Sequence, residues 1–371
     1  MVLVVGMSST AFAQSASSSY TPPSTTTSSD PVETLGLVYQ SGDIFAGVGN
    51  GLIKEFKPDG TFVQTLDTTS GSFEQTGMCF DSVGNLRATS FEANSMTLFD
   101  NAGNVVTSPW GGPFNVDPES CVVDAAGDIY VGQADESGDI LKFKANGTFL
   151  KAFDVPVPDR GSDWIDLAAD QCTMYYAGEG DEILRYDVCT DTALSSFATG
   201  LTGGPCYALR ILSNDQVLVA CSTQVHLLNA GGTVAHTYLN SDFTPAPSTL
   251  FALNLDPDGT SFWTADLISG DIYHMDIATG NQLGTFNAAA PVDVAGLALF
   301  GEPVVSVCPP GTHGIPPNCI PDDGNVVAGE LVPLNTTVLF ISSLSSSMIW
   351  MAPAIVGIAG VGAFYIRTRK N

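Results

Sequence analysis

The sequence predicts an all-β fold: a six-bladed β-propeller of four-stranded antiparallel blades, followed by one C-terminal transmembrane helix. Three observations carry that reading. The stretch Cys121–Phe153 is a four-strand meander, with largely apolar runs at Cys121–Val123, Ile129–Gly132, Ile140–Phe143 and Phe149–Phe153. Turns at Asp124–Gly127, Asp135–Gly138 and Lys144–Gly147 separate them, each ending on a glycine that accepts the positive φ of a tight hairpin. The pattern then recurs. Asp43, Asn85, Asp128, Thr173, Gln216 and Ser261 hold equivalent places about 44 residues apart, and periods of roughly 40–50 with four strands each mark propeller blades. Last, the uncharged apolar run Met348–Ile366 would reach about 28 Å as a helix, close to the thickness of a bilayer's hydrocarbon core.

Taken in order, residues 1–13 read as a secretory signal peptide. Val2–Met7 is apolar, and Ala11-Phe-Ala13 is a small-x-small cleavage signal. Residues 14–31 are mainly Ser, Thr and Pro, with little to bury, and are expected to be a disordered linker. The propeller fills 32–303. Its first unit opens on Leu35–Tyr39 and holds Ser41–Ala46 and Leu52–Gly60; the second holds Met78–Asp81 and Met96–Gly103. The third is the meander above. The fourth has Met174–Ala177 and Glu182–Asp187, the fifth Val217–Ala220 and Val225–Gly231, the sixth Phe262–Ala265 and Asp271–Asp276. Gly296–Phe300 adds an inner strand, which either closes the ring on the first blade or begins a truncated seventh; the regular spacing favours six blades.

Residues 304–337 are a Pro- and Gly-rich stalk, and 338–366 are membrane-associated, with the helix at about 348–366. Trp350 and Tyr365 stand near its ends, where interfacial aromatics belong, and Arg367, Arg369 and Lys370 follow in the tail 367–371. By the positive-inside bias the C-terminus is cytoplasmic and the propeller extracellular.

The repeated Asp-x-x-Gly-x-Ile-Tyr-Val and Ile-x-x-Phe, seen here as Asp124–Val131 and Ile140–Phe143, resemble NHL-type propeller repeats. The resemblance extends to the gluconolactonase and streptogramin-lyase superfamily, and implies a fold that hosts enzymes, binders and scaffolds alike. The Glu-Gly-Pro motif of the lactonases is absent from Leu35–Tyr39. Streptogramin-lyase-like enzymes use a channel-mouth His, whereas His226, His236, His274 and His313 fall elsewhere. The C-terminal arrangement resembles prokaryotic anchored surface proteins and the PEP-CTERM sorting tails, without their Pro-Glu-Pro triplet.

Net charge is −27 with only 12 Lys and Arg. A nucleic-acid partner is excluded for want of a basic face, while cations and basic partners are attracted. An even count of eight cysteines in an exported chain reads as disulfides. Cys172 with Cys189 and Cys206 with Cys221 sit at matching ends of blade strands, and Cys308 with Cys319 closes the stalk loop. Cys79 and Cys121, on neighbouring inner strands, read as small buried thiols. Asn146-Gly-Thr148 and Asn335-Thr-Thr337 fit the N-glycosylation pattern.

Residues just before each inner strand converge on the channel mouth: Gln75, Thr76, Glu119, Asp163, Trp164, Tyr207, Thr249 and Asp293. Glu119, Asp163 and Asp293 are candidate ligands for a hard cation, and Ca²⁺ is the one cofactor suggested. Inner strands also carry Asp166, Arg210 and Asn254, with an Asp166–Arg210 ion pair expected between neighbouring blades. The function expected is a membrane-anchored binding or scaffold module for a protein, glycan or ion. The alternative is a divalent-cation-dependent hydrolase or lyase working at the same mouth.

Overall fold

A computed structural model describes residues 38–303, except 115, 116, 158 and 292, together with two short paired strands, Thr312–Ile315 and Asn318–Pro321. The expected signal peptide, linker, transmembrane helix and Cys308–Cys319 pair lie outside the described residues. Among the described residues no helix is long and apolar enough to cross a membrane.

Six four-stranded antiparallel sheets form the ring. Blades two to six each begin at the channel, with inner strands Gln75–Phe80, Pro118–Val123, Trp164–Leu167, Cys206–Ile211 and Leu250–Leu255. Blade one takes its inner strand from the other end of the propeller region. Gly296–Leu299 pairs antiparallel with Ile44–Gly47, Ile44 opposite Leu299 and Gly47 opposite Gly296. The extra strand therefore closes the ring and opens no seventh blade. Residues 35–37 lie outside the described residues. Val38 and Tyr39 lie outside any strand, and the Tyr39 ring packs edge-on against Phe45, Phe80 and Phe300.

The six repeat positions from Asp43 to Ser261 all fall at the start of a blade's second strand. The turn before it is built the same way in blades two and three. Asp81 Oδ1 accepts from the Val83 and Asn85 amides at 3.1 and 2.9 Å, while the Gly84 amide donates to the Asp81 carbonyl. Asp124 does this for Ala126, Asp128 and Gly127. An aspartate side chain that caps its own turn fixes where the next strand starts. The second strands are then buried throughout in five blades, because each is covered by a blade on both faces.

Cysteine pairing differs from expectation in one place. Cys172–Cys189 and Cys206–Cys221 are bonded, the latter as direct cross-strand partners. Cys79 and Cys121 are also bonded, with Cα atoms 5.7 Å apart. They are no thiols, because inner strands of adjacent blades run side by side, so successive positions on one strand face opposite neighbours. Cys79 thus looks toward blade three and Cys121 back toward blade two.

The expected Asp166–Arg210 ion pair is replaced by a larger network. Arg210 Nε bonds Glu302 Oε1 at 3.0 Å, and Glu302 also accepts from Asn254 Nδ2 and the Leu255 amide at 2.8 and 2.6 Å. Asp166 instead accepts from the Ile211 amide at 2.8 Å. Glu302 lies just past the closing strand, so the last segment of the ring clasps blades five and six after sealing blade one.

The double variant C79S/C121S is expected to fold but to lose up to about 4 kcal/mol, the chain-entropy value for a loop of this length. Chemical denaturation gives the loss. Recovery of Cys79 and Cys121 as free thiols from wild-type protein purified under oxidising conditions would sink the assignment.

Candidate acidic channel mouth

All six inner strands start at one face of the ring, so their first residues crowd together there. Bulges interrupt pairing at Gln75/Met78, Pro118/Ser120, Cys206/Leu209 and Leu250/Ala252. A bulge re-aims the side chain it carries. Counting back from the far end of each strand, the equivalent positions are Thr76, Glu119, Asp163, Tyr207, Phe251 and Ala295. Polar and acidic groups hold one arc of the mouth and apolar groups the other.

Several predicted mouth residues have partners within the protein, although the Trp164 indole N–H has none. Gln75 donates to the Glu74 carbonyl and accepts from Ser90. Thr76 Oγ1 lies 2.9 Å from Thr89 Oγ1 and donates to the Pro118 carbonyl of the next blade. The Thr249 amide donates to Asp266. The Tyr207 ring lies 4.6 Å from Phe251, which the sequence reading passed over although it occupies the repeat position of Tyr207. Trp164 is buried beneath the Arg210 guanidinium, 5.5 Å from its ring centroid.

Glu119 and Asp163 are different. They are 2 % and 1 % exposed, and neither Glu119 Oε2 nor either Asp163 oxygen has a hydrogen-bond partner in the protein. A buried polar atom left unpartnered costs about 1–3 kcal/mol, more if charged. Burial first, then the Asp163 charge, raises the Glu119 carboxyl well above the usual range. Burial followed by the Glu179 charge pushes Asp163 up to about 8. Around the pair stand two carboxylates missed in the sequence. Glu74, next to Gln75, is pushed up to about 7 by burial and by Asp293. Glu179 follows the strand Thr173–Ala177 at its mouth end. Asp293 is also buried, with Oδ1 unpartnered, and its charge and that of Glu92 or Glu74 bear on one another.

One cation answers this charge. Arg160 bonds Asp135 through Nε and Nη2 at 3.0 and 3.1 Å and Glu179 through Nη1 at 2.7 Å. Among the described loops on the mouth face it is the one basic residue. Its backbone is fixed by close approach of two glycines: a Cβ on Gly161 would fall 2.3 Å from the Gln133 carbonyl oxygen, and one on Gly178 the same distance from that of Gly161.

Two other constellations carry no chemistry. Ser261, His274 and Asp256 lie together, with His274 Nε2 2.8 Å from Ser261 Oγ and 3.7 Å from Asp256 Oδ2. Ser261 is buried and donates to Asp258, and the same histidine nitrogen faces both groups, so no base draws on the hydroxyl. The His274 ring is stacked on Trp263. Cys172, Asp187 and Cys189 could span a metal ion, but both sulfurs are consumed by their disulfide.

No protein-family model matches the chain, and no curated protein is significantly similar to it. Solved structures share its fold. A chain in the crystal structure of a nidogen/laminin complex superposes with a TM-score of 0.56 at 15 % identity, over 70 % of this chain and 99 % of that one. A protein of unknown function from Bacteroides caccae gives 0.56 at 13 % identity, over 70 % and 98 %. Virginiamycin B lyase from Staphylococcus aureus gives 0.44 at 15 %, over 58 % and 71 %. At such identities the first two likenesses establish the fold alone, and the six-blade count comes from the sheets of this chain itself.

The raised Asp163 carboxyl has a direct consequence for stability. Its folded value of about 8 lies above the ordinary 3.8, so the folded chain holds this proton more tightly than the unfolded chain. The associated stability is complete below pH ~4 and is lost as pH rises from there through ~8. In chelator, melting temperature should fall between pH 5 and pH 8.5, and D163N should flatten that fall. Parallel curves for the two proteins would show that Asp163 is not the group responsible.

Proposed function

We propose that this protein is a surface-anchored binding propeller whose channel mouth takes up a divalent cation, Ca²⁺ being the best fit. One observation carries the reading: Glu119 and Asp163 are buried side by side with three unpartnered oxygens between them. Two carboxylates that must either stay protonated or repel one another gain most from a hard cation, which takes oxygen ligands. Glu119 and Asp163 would hold the ion, and Glu179 would add a further carboxylate when it turns from Arg160. The bound ion would supply positive charge where the protein has only Arg160. The buried Phe251 and Trp164, with the half-buried Tyr207, would keep bulk water from the ion.

The binding role is supported by the fold's presence in a nidogen/laminin complex and by the absence of a working nucleophile–base pair among the described histidines. His226 is sealed by the Thr202 carbonyl and Thr237. The anchored, extracellular placement rests on the export-like start, the disulfides and the basic residues after Met348–Ile366. Asn146, at an exposed hairpin tip, is placed to accept a glycan on that side.

After removal of metal by chelation, Ca²⁺ should raise the melting temperature. At a hundred times Kd the gain is about 2.7 kcal/mol. E119Q and D163N should each abolish most of it. If the wild type melts identically with and without Ca²⁺, Mg²⁺ or Mn²⁺, the mouth is no cation site.

Topology is tested separately. Protease added to intact cells should cut the region 38–303, and deleting 348–371 should release a soluble propeller. A body protected until lysis would place it inside the cell.

A further inference from the structure

Arg160 and the buried pair are not independent. Arg160 reaches Glu179, and Glu179 is the carboxylate whose charge bears most on Asp163 after burial itself. Arg160 also offsets the charge of Glu119 and Glu74. Yet the guanidinium makes no hydrogen bond to Glu119 or Asp163, and three of their four oxygens stay bare. The arrangement leaves one cation near an excess of carboxylates without satisfying the deepest two.

We propose that Arg160 is the resident counter-ion of the mouth, and that a divalent cation competes with its guanidinium for Glu179 and for the field of Glu119 and Asp163. The inference rests on the cation reading above and adds what sets the threshold for filling. The guanidinium cannot lose its proton, so it can leave Glu179 only by moving. Its backbone is pinned by the Gly161 and Gly178 approaches, and its amide donates to the Gly178 carbonyl at 3.1 Å. Its side chain is about a third exposed, lies 5.4 Å from the Phe91 ring centroid, and keeps two bonds to Asp135 when the one to Glu179 is given up. Arg160 therefore has somewhere to stay while the ion enters, and Asp135 is the hinge of that exchange. A monovalent ion gains half the attraction and displaces the same bond, so the device favours divalent ions.

The test is calorimetric titration of the chelated full chain with CaCl₂, for wild type, R160Q, R160K and E179Q. R160Q should bind with a Kd about tenfold lower, as expected when one charge-assisted bond no longer has to be broken. R160K, which keeps the charge and loses the fork, should fall between it and the wild type, and guards against misfolding of R160Q. E179Q should bind more weakly. In ¹⁵N-arginine-labelled wild type, the Arg160 Nε–H resonance, assigned by its loss in R160K, should shift on Ca²⁺ addition; a merely structural arginine would not respond. Equal or weaker binding by R160Q, with an unmoved resonance, overturns the competition while leaving the cation site standing. Absence of binding in both wild type and R160Q overturns the cation site and the competition together.

Discussion

A ring of sheets is stable only if its ends meet, and the rest of this structure depends on how they do. Five blades are simple meanders; blade one is stitched from both ends of the described ring, Gly296–Leu299 beside Ile44–Gly47. Without that pairing, Ile44–Gly47 would present an unpaired inner edge, and an exposed edge is a template for misassociation. Closure is secured a second time at the opposite face, where Glu302 accepts three hydrogen bonds from blades five and six. The last segment of the ring, Gly296–Glu302, thus binds three blades.

Closure also explains the chemistry of the mouth. Once six inner strands are held in a circle, residues far apart in sequence become neighbours without choosing to be. Glu119 and Asp163 are each unremarkable on their own strand, but the ring sets them together under a face whose described loops hold a single arginine. The resulting potential is a property of the circle and not of any blade. It accounts for the raised carboxyls of Glu74, Glu119, Asp163 and Asp293: burial disfavours the charged form and neighbouring carboxylates add to the penalty, while Arg160 relieves part of it for the first three and holds Asp135 low.

The two faces of the ring handle polarity in opposite ways. At the far face, turn carboxylates have partners, either a cation, as with Lys57 on Asp43, Arg87 on Asp81, and Lys142 and Lys144 on Asp128, or the amides of their own turns, as with Asp100 and Asp276. Those pairs stabilise turns that recur from blade to blade. At the mouth, matching is deliberately short by the measure of unpartnered oxygens, and a surface so composed is suited to receive positive charge from outside.

The sequence by itself determined the blade count, the start of each second strand and two of the bonded cysteine pairs. These are local properties: turn glycines, self-capping aspartates and alternating burial act within one unit and repeat with it. It also placed Glu119, Asp163 and Asp293 at the mouth, because position relative to an inner strand is a matter of counting. Tertiary structure alone decided the rest. It bonded Cys79 to Cys121, gave Arg210 to Glu302 instead of Asp166, and brought Arg160 and Glu179 together at the mouth. Each of these depends on which face of a strand meets which neighbouring blade, and on how far a loop reaches across the mouth. A repeat pattern fixes the order of blades around a ring, but the angle at which they meet is set only when the last strand closes it.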